Sequence, residues 1–383
     1  MRDFDPAQGA AVRTLGWLAM NSPPRRLLVT GGAGFIGANF VHSWRRSHPQ
    51  DLIVVLDALT YAGNRANLAA IKNGEQFIFV HADIRNQELV EEELRRHELD
   101  TVVHFAAESH VDRSIAGPDA FIDTNVLGTH ALLKACRRVW LERAAPIVHR
   151  FHHISTDEVY GSLAPDAAPF SETTPYAPNS PYAASKAASD HLVRAYAQTY
   201  GLCTTMTNCS NNYGPYQFPE KLIPLMIVNL LEGKPLPVYG DGLNVRDWLY
   251  VEDHCAGIKR VLDAGQAGQT YNIGAGAELT NIDLVRRLCA IADELFAQDP
   301  SLAGRFPACP AAKKEPCLSL LSFVADRPGH DRRYAIDAAK IKRELGVTAT
   351  TEFGSGLRRT FRWYLESEDW WRALHGARER SQF

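Results

Sequence analysis

Between Arg26 and about residue 155, short aliphatic runs alternate with longer stretches whose apolar residues recur at helical spacing. The runs are Leu27-Leu28-Val29-Thr30, Leu52-Ile53-Val54-Val55-Leu56, Phe77-Ile78-Phe79-Val80, Thr101-Val102-Val103-His104-Phe105 and Phe151-His152-His153-Ile154-Ser155. They lack in–out alternation, as strands do when both faces are covered, and such strands are usually parallel. Phe35 to Arg46, Gln87 to His97 and Phe121 to Arg143 supply the helical patterns between them. This order predicts an α/β fold, a doubly wound parallel sheet with right-handed crossovers.

Beyond about residue 215 the pattern loosens into Pro- and Gly-rich pieces such as Gly233 to Gly242, with amphipathic helices expected near 251–264 and 281–296. A smaller C-terminal lobe is expected there. Residues 296–321 carry four prolines and little periodicity, which predicts an inserted loop. Residues 1 to about 24 precede the first strand and are expected to be an extension outside the core, with Met20 a candidate start.

Composition narrows the class. Of 383 residues, 45% are hydrophobic and 22% charged, enough apolar material for a packed core. The net charge of −3 offers no basic field for a polyanion, so nucleic acid is not an expected partner. No apolar run is long enough to span a bilayer, and no secretory pattern opens the chain; a cytoplasmic protein is expected. The seven cysteines lack paired metal-ligand spacing, so neither a metal site nor a disulfide framework is expected.

The first strand runs into Gly31-Gly-Ala-Gly34-Phe35-Ile36-Gly37, which opens a helix. Glycines let the backbone turn tightly and approach a pyrophosphate, whose charge the free N–H groups of a helix start attract. Asp57 ends the second strand, where an acidic side chain binds ribose hydroxyls and repels a 2′-phosphate. NAD is therefore the expected cofactor and the fold Rossmann-like. Ala58, Leu59 and Thr60 after that strand, Asp83 and Ile84 after the third, and Phe105, Ala106, Ala107, Glu108 and Ser109 after the fourth complete the expected cofactor side. The resulting division is a NAD-binding domain with the catalytic residues at 25–215 and a mainly substrate-binding lobe at 216–383.

Tyr182 and Lys186 lie four apart at an expected helix start and so share a face. A phenol of ordinary pKa about 10 is a poor base near neutrality, and an ammonium one turn away favours its ionised form. Tyr182 can then take a hydroxyl proton while hydride leaves for a nicotinamide. Thr156, Asp157 and Glu158 follow the fifth strand.

The Gly31–Gly37 turn with Tyr182-x-x-x-Lys186 resembles the extended short-chain dehydrogenase/reductase family. More narrowly, the blocks Ala107 to Ile115, Thr156 to Gly161, Asn208 to Pro224 and Asp326 to Asp337 resemble its dTDP-glucose 4,6-dehydratases, over about residues 25 to 370. The resemblance implies oxidation of the sugar at C4, loss of water across C5 and C6, and return of hydride to C6. It makes Glu158 the C5 base, Asp157 the C6 acid, and Thr156 a hydrogen-bond partner of the C4 oxygen. Two adjacent carboxyls can divide acid and base roles if repulsion and burial separate their pKa values. On a regular strand they would point to opposite faces, so a turn must follow Thr156.

By the same resemblance, Thr124 and Asn212 join the cofactor side. Ser109, Thr156, Asn211, Lys221, Leu222, Pro237, Val238, Tyr239, Arg246, Asn281, Asp326, Arg327, Pro328, Gly329, His330 and Tyr364 serve the nucleotide sugar. A homodimer through a four-helix interface is also implied, from the patterns at about 120–142 and 182–200. Three alternatives stay open at this point: a nucleotide-sugar 4-epimerase, a dehydratase for another nucleotide sugar, and a binding protein without turnover.

Overall fold

A computed structural model describes residues 24–142 and 148–380. The expectations for residues 1–23, including Met20, lie outside the described residues.

The strands in chain order are β1 (Arg26–Thr30), β2 (Leu52–Asp57), β3 (Phe77–His81), β4 (Thr101–His104), β5 (Arg150–Thr156), β6 (Thr204–Cys209), β7 (Asn211–Tyr213), β8 (Leu236–Tyr239), β9 (Val245–Tyr250), β10 (Thr270–Ile273), β11 (Glu278–Thr280) and β12 (Leu321–Val324). Seven of them form a parallel sheet in the order β10-β6-β5-β4-β1-β2-β3. The order reverses at β1, which pairs with β2 on one side and β4 on the other, so a crevice opens at the strand ends there. Every residue of β2 and β5 is buried. Successive positions explain this: Val29 and Val55 pack with Phe40, Trp44 and Ile258, while Leu28 and Val54 pack on the opposite face with Leu133, Trp140 and Val193. Cutting one such leucine to alanine typically costs about 2–5 kcal/mol.

Residues beyond 215 also return to this sheet: β10 extends its edge, and the helix Val251–Ala264 packs on one face through Val261 and Leu262. The second lobe gathers the helices Leu222–Glu232, Asn281–Gln298 and Phe353–Glu366 around Ile227, Leu284, Leu288 and Phe361. Its small sheets are β11-β9-β7 and β12-β8. Residues 296–321, expected to be a loop, fold into the helix Ser301–Arg305 and two short helical turns, and bury Leu302, Phe306, Cys309 and Cys317 in this core. Prolines 300, 307, 310 and 316 break the apolar periodicity that would have announced this packing. Among the described residues no helix is long and apolar enough to cross a membrane, and no cluster of His, Cys, Asp and Glu has metal-binding geometry.

Candidate active site

One cleft runs from the Gly31–Gly37 turn across the ends of β1, β2, β4, β5 and β6 to Lys221. At two glycines of the turn its floor leaves no room for a side chain. Gly31 has φ +69°, and a Cβ there would lie 2.5 Å from the Ala106 nitrogen; at Gly37 it would lie 2.3 Å from the Gly31 carbonyl oxygen. Asp57 is anchored at the far wall, where Oδ2 accepts the Ala33 N–H at 2.8 Å and Oδ1 the Leu59 N–H at 2.8 Å. Burial raises its pKa against those two bonds. A glycine cradle ending on a fixed carboxylate fits the pyrophosphate and ribose of NAD. Thr124 enters the cleft from a π-helical stretch, Ile122–Gly128, whose Asn125 clamps both the N–H and the carbonyl of Glu108 at 2.9 Å.

The catalytic candidates meet at the end of β5. Thr156 ends the strand, and its Oγ1 accepts the Glu158 N–H at 3.3 Å, starting the short helical turn Asp157–Tyr160. That turn supplies the backbone break the acid pair requires. Asp157 is fully buried; burial first, then the charges of Glu158 and Asp247, push its carboxyl well above the usual range, and Arg246 only partly opposes them. Glu158 is raised by burial too, but Lys221, Arg246 and Arg327 all pull it back toward the carboxylate. The two carboxyls are thus separated as an acid and a base need to be.

Opposite stands the helix Pro181–Tyr200. Ser180 caps it by accepting the Ala183 N–H at 3.1 Å, and Pro181 fits the first turn, so Tyr182 and Lys186 fall in its opening turns. Burial, then Glu158, hold the Tyr182 phenol well above its ordinary value, while a hydrogen bond from Thr156 favours the phenolate. Lys186 donates to the Ile154 carbonyl at 2.8 Å, which holds it at a fixed post beside the sheet.

On the far side, Lys221 donates to the Ser109 carbonyl at 2.7 Å, and Arg327 pairs with Asp112 at 2.8 Å. Arg246 donates to the Asp331 carbonyl at 3.0 Å and lies 4.3 Å from the Tyr334 ring. His330 Nδ1 is 2.6 Å from Asp326 Oδ1, and its ring meets Tyr239 edge-on at 6.1 Å.

Relatives settle the family. The family model described as GDP-mannose 4,6 dehydratase matches residues 28–360. A dTDP-glucose 4,6-dehydratase of Neisseria meningitidis is 51% identical over 356 residues, covering 92% of this chain and 97% of its own. The chain belongs to the dTDP-glucose 4,6-dehydratase family. A solved family member from Streptomyces venezuelae, with NAD bound, is 50% identical, with a TM-score of 0.81 over 91% of this chain and 99% of its own. A Thermus thermophilus UDP-glucose 4-epimerase, also solved with NAD, is 29% identical, with a TM-score of 0.74 over 89% of this chain and 99% of its own. NAD is thus bound by solved members of both families.

Of the cofactor residues expected from sequence, the cleft is lined by Gly31, Gly34, Phe35, Ile36, Gly37, Asp57, Ala58, Thr60, Asp83, Ile84, Phe105, Ala106, Ala107, Glu108, Ser109, Thr124 and Asn212. Leu59 stands beside it at φ +51°, holding Asp57 by its N–H. Thr156, Asp157, Glu158, Tyr182, Lys186, Asn211 and Lys221 line the same cleft. Arg246 and Arg327 act on it through the charge of Glu158. Pro237, Val238 and Tyr239 lie on β8; Asp326 to His330 follow β12, which pairs with β8, and Gly329 has φ +64°. Asn281 is buried at the start of its helix, donating its N–H to the Asn244 carbonyl at 3.0 Å.

Three residues expected on the substrate side pack against the second lobe's core: Val238, Tyr364 and, partly buried, Leu222. Tyr364 is 0% exposed in the second lobe's core, where its hydroxyl donates to the Gln217 carbonyl and its own carbonyl accepts the Trp371 indole N–H at 2.9 Å. It follows Phe353, Leu357 and Phe361 along one buried helix stripe, a period visible in the sequence. Leu222 packs against the same core at the edge of its helix. Sequence reasoning missed Tyr61, Ser210, Gln217, Phe218 and Glu220, which line the cleft. They precede or follow recognised positions on irregular segments, where spacing carries no signal.

Proposed function

We propose that the chain converts dTDP-glucose to the 4-keto-6-deoxy sugar with loss of water, and that buried Asp157 and half-buried Glu158 beside Thr156 and Tyr182 carry this reading. Tyr182, ionised with help from Lys186, takes the C4 hydroxyl proton while Thr156 holds the C4 oxygen. NAD, when bound in the cleft, would supply the hydride acceptor at C4 and the donor to C6, while Glu158 returns its proton to C5. The C4 ketone makes the C5 hydrogen acidic, and Glu158, favoured as carboxylate by Lys221, Arg246 and Arg327, removes it. Asp157, favoured as the neutral acid, protonates the C6 hydroxyl, which leaves as water. Lys221, Arg246 and Arg327 would bind the diphosphate, the two arginines through forked guanidinium donors that match its oxygens. Residues 25–215 mainly hold NAD and the catalytic groups, and 216–383 mainly the nucleotide.

A 4-epimerase needs the cradle, Asp57, Tyr182 and Lys186, but has no task for an acid and a base beside Thr156. The test is mass spectrometry of product from purified protein and dTDP-glucose. Loss of one water, abolished in Asp157→Asn, supports the dehydratase; an epimer of unchanged mass would reject it. We further propose a cytoplasmic homodimer. Ile122 (45% exposed), Leu127 (53%) and Tyr200 (44%) give the faces of the helical segments around Ile122–Trp140 and Pro181–Tyr200 an apolar surface for it. Light scattering that finds a monomer at micromolar concentration would overturn the dimer.

A further inference from the structure

Tyr182, Lys186 and Asp190 stand at i, i+4 and i+8 on one helix, so the side that presents the phenol and the ammonium also drives a carboxyl into the sheet. Asp190 is 1% exposed. A charge so buried persists only when paired and hydrogen-bonded. Ser155 Oγ donates to its Oδ2 at 2.7 Å and the Tyr176 hydroxyl donates to the same atom at 2.9 Å. The same nitrogen, His153 Nε2, lies 3.2 Å from its Oδ1 and 3.4 Å from Lys186 Nζ. One fully buried imidazole nitrogen is therefore close to both the ammonium and the carboxylate.

Burial favours the neutral form of four other titratable neighbours. His104 on β4 and His153 on β5 are held well below the usual imidazole range by burial. Cys209 on β6 and Tyr176 before the helix are pushed up by burial. Burial also raises Asp190, to about 6, against Lys186, Ser155, Tyr176 and the neighbouring His191. For Lys186, burial favours the neutral amine, and Asp190 is the largest opposing influence.

We infer that Asp190 is a positioning residue: one helical turn from Lys186, it is the counter-charge that keeps Lys186 an ammonium at its post on the Ile154 carbonyl, where it serves Tyr182. This deepens the dehydratase reading and rests on it for the role of Tyr182. Removing the carboxylate lets Lys186 lose its proton at lower pH, so the alkaline limb of the rate profile moves down.

The test uses the full chain with NAD, lysine labelled with carbon-13 at Cε, and a Lys186→Arg variant to assign the Lys186 signal. In Asp190→Asn the Lys186 titration is expected to fall by about one pH unit or more. The alkaline limb of kcat moves down with it, KM for dTDP-glucose stays unchanged, and Asp190→Glu restores most of the shift. A folded Asp190→Asn protein with an unmoved Lys186 titration overturns the inference, as does equal impairment of both variants with an unchanged pH profile. If Asp190→Asn does not fold, Tyr176→Phe keeps the charge but removes one donor. Asp190 then gains its proton at higher pH and the acid limb moves up; an unmoved acid limb counts against the inference. The NMR readout needs no turnover. Inactive wild-type protein would therefore overturn the dehydratase reading while the Lys186 shift still decides this one.

Discussion

Asp157 and Lys186 face one cleft from opposite walls, both almost without access to solvent, and burial pushes each toward its neutral form. Their neighbours then act in opposite senses. Around Asp157 the next influences are Glu158 and Asp247, like charges that strengthen the neutral acid. Around Lys186 the next influence is Asp190, an opposite charge that restores the cation. Burial alone therefore says nothing about whether a group will give up a proton or hold a charge; the sign of the second neighbour decides it. The proposed mechanism gives one wall a proton to donate and the other a fixed charge beside a base.

The comparison breaks most visibly when either wall loses its reacting atom. Asp157→Asn keeps the shape but has no proton to give, and Tyr182→Phe keeps the ring but has no base. Each should lower kcat by about 10²- to 10⁴-fold in a product assay while NAD remains bound. Next comes the cradle the two walls share. Gly37→Ala places a methyl 2.3 Å from the Gly31 carbonyl, and should weaken NAD about tenfold or more in a fluorescence titration. A smaller change sharpens the contrast of neighbours. Asp247→Asn removes one repelling charge, so Asp157 loses its proton at lower pH and the alkaline limb of kcat moves down by about one unit or less. Smallest of all, Tyr364→Phe removes one buried hydrogen bond to Gln217, about 1 kcal/mol seen as a small drop in Tm, with KM unchanged because the side chain lies in the core.

The wall that reads easily from sequence is the one built at regular spacing. Gly31 to Gly37 follows a buried strand, Tyr182 and Lys186 are one helical turn apart, and the need for a turn after Thr156 follows from two adjacent carboxyls sharing a site. Asp190 escaped because a carboxylate in the middle of a helix reads as a solvated side chain; only its place opposite β5 reveals its partners. Arg246 and Arg327 were reached by resemblance, since they stand 81 positions apart in number (327 − 246) on segments that only the folded second lobe brings to Glu158. The packed stretch at 296–321 was hidden for a different reason: its buried residues are set by proline-punctuated turns, which have no period to detect.

The most direct test of the central claim, that the two walls act in sequence on one sugar, is turnover of dTDP-glucose carrying deuterium at C4, with the product read by mass spectrometry and NMR. The account predicts loss of one water with the label now on C6. A product of unchanged mass, or a dehydrated product whose C6 lacks the label, would contradict it.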